Sequence, residues 1–257
     1  MMQFPPHLKY LHDTKITWFK PCWGYFGFWE RLKQFQAERS IGFQEAWLHR
    51  DMKRNKELYA TAVVALCMEK IDPGKDGWYF TKPSQDPPDG VIATPREDGL
   101  SGANIMSVQE IEVVEHLSGS LVETIERKLN RKNKRYEPNT VLVCLVSPQS
   151  IETYDFKEIS KEVSAIKLPL ANTFVVFNGF LMTSEFQNLT ESEKIREMSK
   201  ITLLRLLPSY EAISILPEDA CKSFLRGEGH GWLKFTGRGK TPGFEKVTLE
   251  NAPKLFD

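Results

Sequence analysis

An α/β fold, a mixed β-sheet flanked by helices, is what this sequence predicts. Three observations predict it. Two helix-period runs, about residues 29–39 and 43–71, come first. Short β-prone pieces follow, closely spaced and separated by turn residues. An amphipathic run then leads into a fully apolar strand, Thr140–Val146. The boundaries that follow are residues 1–55 for an N-terminal arm and helices, 56–180 for the α/β core, and 181–257 for a helical C-terminal extension packed on the core.

Each element has a local reason. Residues 1–29 are rich in Pro and aromatics (Trp18, Phe19, Trp23, Tyr25, Phe26, Phe28, Trp29) and read as an irregular arm whose rings serve core or homodimer packing. The first helix runs from Trp29 to Arg39 and pauses at Ser40-Ile41-Gly42. A second runs from Phe43 to Ile71. Its latter half is apolar over much of its circumference, so it packs deep against a sheet, and Asp72-Pro73-Gly74 ends it. Strands are expected at Gly77–Thr81, Gly90–Thr94 and Val108–His116, as an antiparallel meander. Ser120 is an N-cap candidate for a helix with Leu121, Val122, Ile125 and Leu129 on one face, ending near Asn133. Asp155 and Glu158 open a helix to Ser164, and Asn172–Asn178 is a strand. Thr190 with Glu193 makes a capping box for a helix expected from Glu191 to Leu207. Another helix is expected from Pro217 to Arg226, and Gly227–Lys240 reads as a loop or hairpin.

Composition bounds the function. With 257 residues the chain is one large domain or two modest ones, and 41% hydrophobic residues allow a sizeable core. Basic and acidic residues balance at 34 each, so any nucleic-acid binding must come from a local patch. The cysteines (Cys22, Cys67, Cys144, Cys221) are far apart, with no C-x-x-C and no ligand spacing. They predict no zinc site, and their simplest setting is a reduced cytoplasmic compartment. No signal pattern and no membrane-length apolar run is present.

The chemistry concentrates in three carboxylates. Asp89 follows a Pro-Pro pair, and Glu110-Ile111-Glu112 comes 110 − 89 = 21 positions later, on the β-prone stretch beyond the 95–104 loop. Residues two apart on a strand point the same way, so Glu110 and Glu112 share a face. Val114 follows on that face, so these glutamates are expected to be buried and in need of partners such as a metal. Carboxylates with phosphate oxygens are the usual surroundings of Mg²⁺. The plainer readings are a turn residue for Asp89, a wet strand face for the two glutamates, and an exposed helix edge for Glu57.

Pro88-Asp89 and Glu110-x-Glu112, in a helix–βββ–helix–β order over about residues 56–146, resemble the PD-(D/E)XK nuclease superfamily, the restriction-endonuclease-like fold. The resemblance implies metal-dependent hydrolysis of nucleic-acid phosphodiesters, DNA foremost, in a restriction or repair role. Asp89, Glu110 and the carbonyl of Ile111 would bind Mg²⁺ or Mn²⁺. Glu57 matches the helix acid that some members add. The third motif position, usually lysine, is Glu112 here, which would act as general base or second-metal ligand. Lys128 on the following helix is a candidate migrated cation. The basic run Arg127, Lys128, Arg131, Lys132, Lys134 and Arg135 is either a phosphate-contacting patch or a solvated helix end. The alternative to an enzyme is an inactive nuclease-fold module with a structural or protein-binding role, and Glu112 is the residue that favours it.

Overall fold

The structure, a computed structural model, describes residues 8, 11, 16–73, 77–83, 88–97, 104–130, 136, 140–148, 154–166, 172–178, 188–222, 232–236, 243–246 and 255–256. It is an α/β protein, as the sequence predicts. The chain divides into two compact units, Met1–Ile111 with Cys221–Asp257, and Glu112–Ala220.

The first unit opens with β1 (Thr17–Phe19) and α1 (Pro21–Arg39). Residues 21–29 of the stretch expected as an irregular arm are therefore helix. The missed signal is Pro21, which stands at the start of α1, where its fixed φ and absent N–H suit the first turn. Ser40 ends α1 in the left-handed region, φ 54°, at the expected pause. The expected helix 43–71 is broken into α2 (Phe43–Leu48), a 3₁₀ turn (Arg50–Met52) and α3 (Lys53–Ile71). The break falls at His49, whose backbone is extended and whose Nδ1 accepts the Asp51 N–H at 3.2 Å. Every residue of α3 from Asn55 to Met68 is buried. A Cβ at Gly24 would overlap both Ala62 and Phe80, so the glycine is what lets α1 lie against α3. Phe28 meets Tyr59 at 4.5 Å between ring centroids and Trp47 at 5.6 Å, edge-on.

Strands β2 (Tyr79–Thr81), β3 (Gly90–Glu97) and β4 (Asn104–His116) form the expected antiparallel meander. With β9 (Trp232–Thr236) and β10 (Gly243–Lys246), the first unit has the strand order β10-β9-β1-β2-β3-β4. β9 and β10 pair antiparallel, β9 inside the stretch expected as a loop or hairpin and β10 beyond it.

The second unit takes the end of β4, then α4 (Leu121–Leu129), β5 (Val141–Val146), α5 (Phe156–Ala165) and β6 (Asn172–Asn178). β5 and β6 are parallel, with α5 as the crossover, and β6 continues antiparallel to β7 (Ile201–Leu207) and β8 (Glu211–Ile215). Its sheet is thus mixed. Ser120 and Asp155 cap their helices as expected, and the Thr190–Glu193 capping box opens α6 (Glu191–Met198).

The expected helical C-terminal extension is corrected here. The helix from Glu191 stops at Met198, and Ile201–Leu207 is a buried strand between two others. A short apolar run buried on both faces has no period to distinguish strand from helix. α7 (Pro217–Ala220) is a single turn. Leu121, Ile125, Leu142, Cys144, Val163, Val175 and Leu204 form the core of this unit.

The cysteine expectation is also corrected. Cys22 and Cys221 form a disulfide, while Cys67 and Cys144 are free and buried. A separation of 199 residues leaves no spacing signal. Among the described residues, no helix is long and apolar enough to cross a membrane.

Candidate functional site

Asp89 sits at the bend that opens β3 and is 3% exposed. Its N–H donates to the Ile111 carbonyl at 3.0 Å. The ladder continues with Gly90 opposite Ile111 and Val91 opposite Glu110. The start of β3 at Gly90 and Glu110-Ile111, about 20 positions apart in sequence, therefore lie side by side. Ile111 is fully buried, and its carbonyl keeps a second lone pair beyond the bond to Asp89.

Gly90 explains how this bend reaches α3. A Cβ there would overlap the Thr61 hydroxyl, so helix and strand meet closer than any other residue allows. Thr61 in turn donates to the Glu57 carbonyl at 2.8 Å. Glu57 is one helical turn from the contact, 6% exposed, with Lys53 at 3.3 Å and Arg54 at 3.1 Å from its carboxylate.

Alternation in β3 and β4 separates the acids. Gly90 faces α3, and Ile111 opposite it shares that side. Val91, with Val108 and Met106, packs on the cluster built from Trp18 and Tyr79, so its cross-strand partner Glu110, half-buried, lies on the side away from α3. Asp89 joins Ile111 through its backbone, Glu110 stands opposite Val91 on the side away from α3, and Glu57 belongs to the other side. The reason is the period of the strand, which a helix acid cannot override. Among the described residues, no three of His, Cys, Asp or Glu converge in a way that would hold a metal ion. Two carboxylates and a carbonyl are a smaller set, of the kind Mg²⁺ takes when it keeps several waters.

In the second unit Glu112 is buried, as its pattern predicts, and its partner is a lysine. Lys128 Nζ lies 2.9 Å from Glu112 Oε2 and donates to the Val113 carbonyl at 2.8 Å. The two side chains are both almost wholly buried. Lys128 thus turns inward, while Arg127 beside it is exposed. Arg131, Lys132, Lys134 and Arg135 lie outside the described residues. His116 is fully buried between Thr124, 3.0 Å from Nδ1, and Tyr154, 2.9 Å from Nε2, which is a structural role.

Sequence reasoning singled out Asp89, Glu110 and Glu112 as candidates but carried no sign of the Thr61–Gly90 contact or of the cations that hold Glu57. A glycine directly after Asp89 was the available signal for a close approach. The chain matches no protein-family model, no curated protein and no solved structure in comparisons with each.

Proposed function

We propose that the protein is a metal-dependent nuclease of the restriction-endonuclease-like kind, hydrolysing phosphodiester bonds of nucleic acid, DNA foremost. The observation that supports this reading is the register of β3 on β4, in which the Asp89 N–H meets the Ile111 carbonyl and Glu110 stands opposite Val91, two positions along from Asp89. Asp89 and Glu110 with the Ile111 carbonyl are hard oxygen donors that would hold Mg²⁺ or Mn²⁺. When bound, the cation would acidify a water and neutralise charge on the phosphate. The residue usually found as lysine in this family is Glu112, and Lys128 sets an ammonium on its carboxylate. Glu112 and Lys128 hold each other inside the second unit and are left out of the metal set. Glu57, paired with Lys53 and Arg54, supports α3 and is left out of the metal set.

The test is cleavage of plasmid or oligonucleotide in Mg²⁺ or Mn²⁺. Asp89→Ala and Glu110→Ala are each expected to reduce it to background. Unchanged cleavage in both variants rejects the reading. One observation favours the alternative of an inactive nuclease-fold module: Glu57 and Glu112 both already have cationic partners. Calorimetry separates the two readings, because a scaffold without a site takes up no Mn²⁺ that depends on Asp89.

A further inference from the structure

We propose that the Cys22–Cys221 disulfide is a redox-operated clasp, which holds the C-terminal hairpin β9–β10 in the sheet when oxidised and releases it when reduced. Both cysteines belong to the first unit, and nothing in this device depends on the nuclease reading. The last part of the chain meets one short stretch, residues 17–28, at three places. Cys221 is bonded to Cys22 in the first turn of α1. β9 pairs with β1 through Thr17↔Lys234, Trp18↔Leu233 and Phe19↔Trp232. The Phe256 ring rests on Gly27, where a Cβ would stand 2.8 Å from it, and its centroid is 6.4 Å from that of Phe28.

The bond is the strongest of these attachments. β1 has three residues, and β10 stands at the end of the strand order, beyond β9. A two-stranded hairpin is marginal in water without a wider sheet or a packed face, so β9–β10 depends on the β1 ladder for its place. The crosslink stands at the end of that ladder. Cys22 is 22 − 19 = 3 positions beyond Phe19, and Cys221 is 232 − 221 = 11 before Trp232. The bonded chain therefore closes only a short loop when β9 pairs, and the ladder forms at high effective concentration. Cutting the bond removes that advantage, because the covalent path from Phe19 to Trp232 then runs over 232 − 19 = 213 positions. Release leaves β1 as the edge of the remaining sheet, its backbone N–H and C=O groups open to a new strand. The couple is confined to two states. Cys67 and Cys144 are fully buried, and burial keeps them as thiols, so neither attacks the bond and shuffles it.

The step is thiol–disulfide exchange with a dithiol. A thiolate of the reductant attacks Cys22 Sγ, on the more exposed side of the bond at 8% against 1% for Cys221. The S–S bond breaks, and Cys221 leaves as a thiolate that takes a proton. The reductant's second thiolate then attacks its own sulfur in the mixed disulfide. That forms the oxidised reductant and frees Cys22 as a thiolate, which is protonated in turn. Two electrons pass from the reductant to the protein.

The experiment is hydrogen exchange of the full chain read by mass spectrometry, oxidised and after incubation with dithiothreitol at neutral pH. The crosslink is followed in the same samples through the Cys22 and Cys221 peptides. In the reduced chain the amides of β9 and β10 are expected to exchange about tenfold or more faster, while α3, β3 and β4 keep their protection. Reoxidation should restore the slow exchange. Cys22→Ser/Cys221→Ser should show the fast exchange without reductant and no response to it. Equal exchange of β9 and β10 in the two states overturns the proposal and leaves the bond a structural staple. So does a bond that survives dithiothreitol in the native protein. Protection lost from α3, β3 and β4 as well overturns it too, since the bond would then hold the whole unit and not the hairpin.

Discussion

Lys128 and Glu112 depend on each other because neither charge has water to fall back on. Removing one partner of a buried pair leaves the other ion stranded, at a cost of about 3–5 kcal/mol. Lys128→Met is therefore expected to lower the stability by that amount in urea denaturation, and Glu112→Gln/Lys128→Met to recover much of it. A Lys128→Met destabilisation no larger than that of an exposed lysine would show that the pair is not buried in solution. Glu69 is the opposite case, a carboxyl whose burial is incompletely offset. Burial raises its pKa from the ordinary 4.5, while the Lys20 ammonium and the Trp78 N–H act to lower it. A carboxyl raised in the folded state contributes stability while protonated, below its unfolded value. That contribution is lost as pH climbs through the folded pKa. Because glutamine cannot ionise, the Glu69→Gln variant should gain in melting temperature relative to the unaltered protein as pH rises from about 4 to about 7. A difference that stays flat across that range would reject the assignment.

At the scale of elements, the meeting of β3 with α3 has the least tolerance. Gly90 has the Thr61 hydroxyl and methyl where a Cβ would go. Gly90→Ala forces strand and helix apart, an overpacking cost of about 1–3 kcal/mol, and displaces Asp89 next to it. The expected result is a lower denaturation midpoint together with weaker metal-dependent cleavage. An unchanged midpoint would mean that Thr61 can turn aside. Elements with a chemical start signal were legible one residue at a time: Ser120, Asp155 and Thr190 each cap the helix their spacing promised. Ile201–Leu207 was not, because its neighbours β6 and β8 decide its conformation and its own residues carry no period that names it a strand. The candidate site divides the same way. Asp89 and Glu110-x-Glu112 are visible as a pattern, whereas the separation of Glu57 from Glu110 follows from which face of β4 meets the helix.

For the molecule as a whole, the disulfide sets the number of titratable thiols. Unfolded without reductant, the protein should expose two thiols, Cys67 and Cys144, and after reduction four. In the native state neither free thiol should react quickly with a thiol reagent. Burial pushes Cys67 up to about 12 and Cys144 higher still, so almost no thiolate exists at neutral pH. Finding four thiols without reductant would rule out the crosslink. With the crosslink present, Cys22→Ser should cost about 2–4 kcal/mol, the usual contribution of closing a long loop.

By itself the sequence determined the α/β class, the meander, the caps and the order of the three carboxylates, because each is written in neighbours a few residues apart. Only the tertiary structure decided that Cys22 meets Cys221, that Ile201–Leu207 is a strand, that Lys128 turns inward onto Glu112, and that Glu57 stands on the far side of the sheet from Glu110. Those outcomes depend on which distant segment fills the space beside a residue, and short-range periodicity carries no record of that.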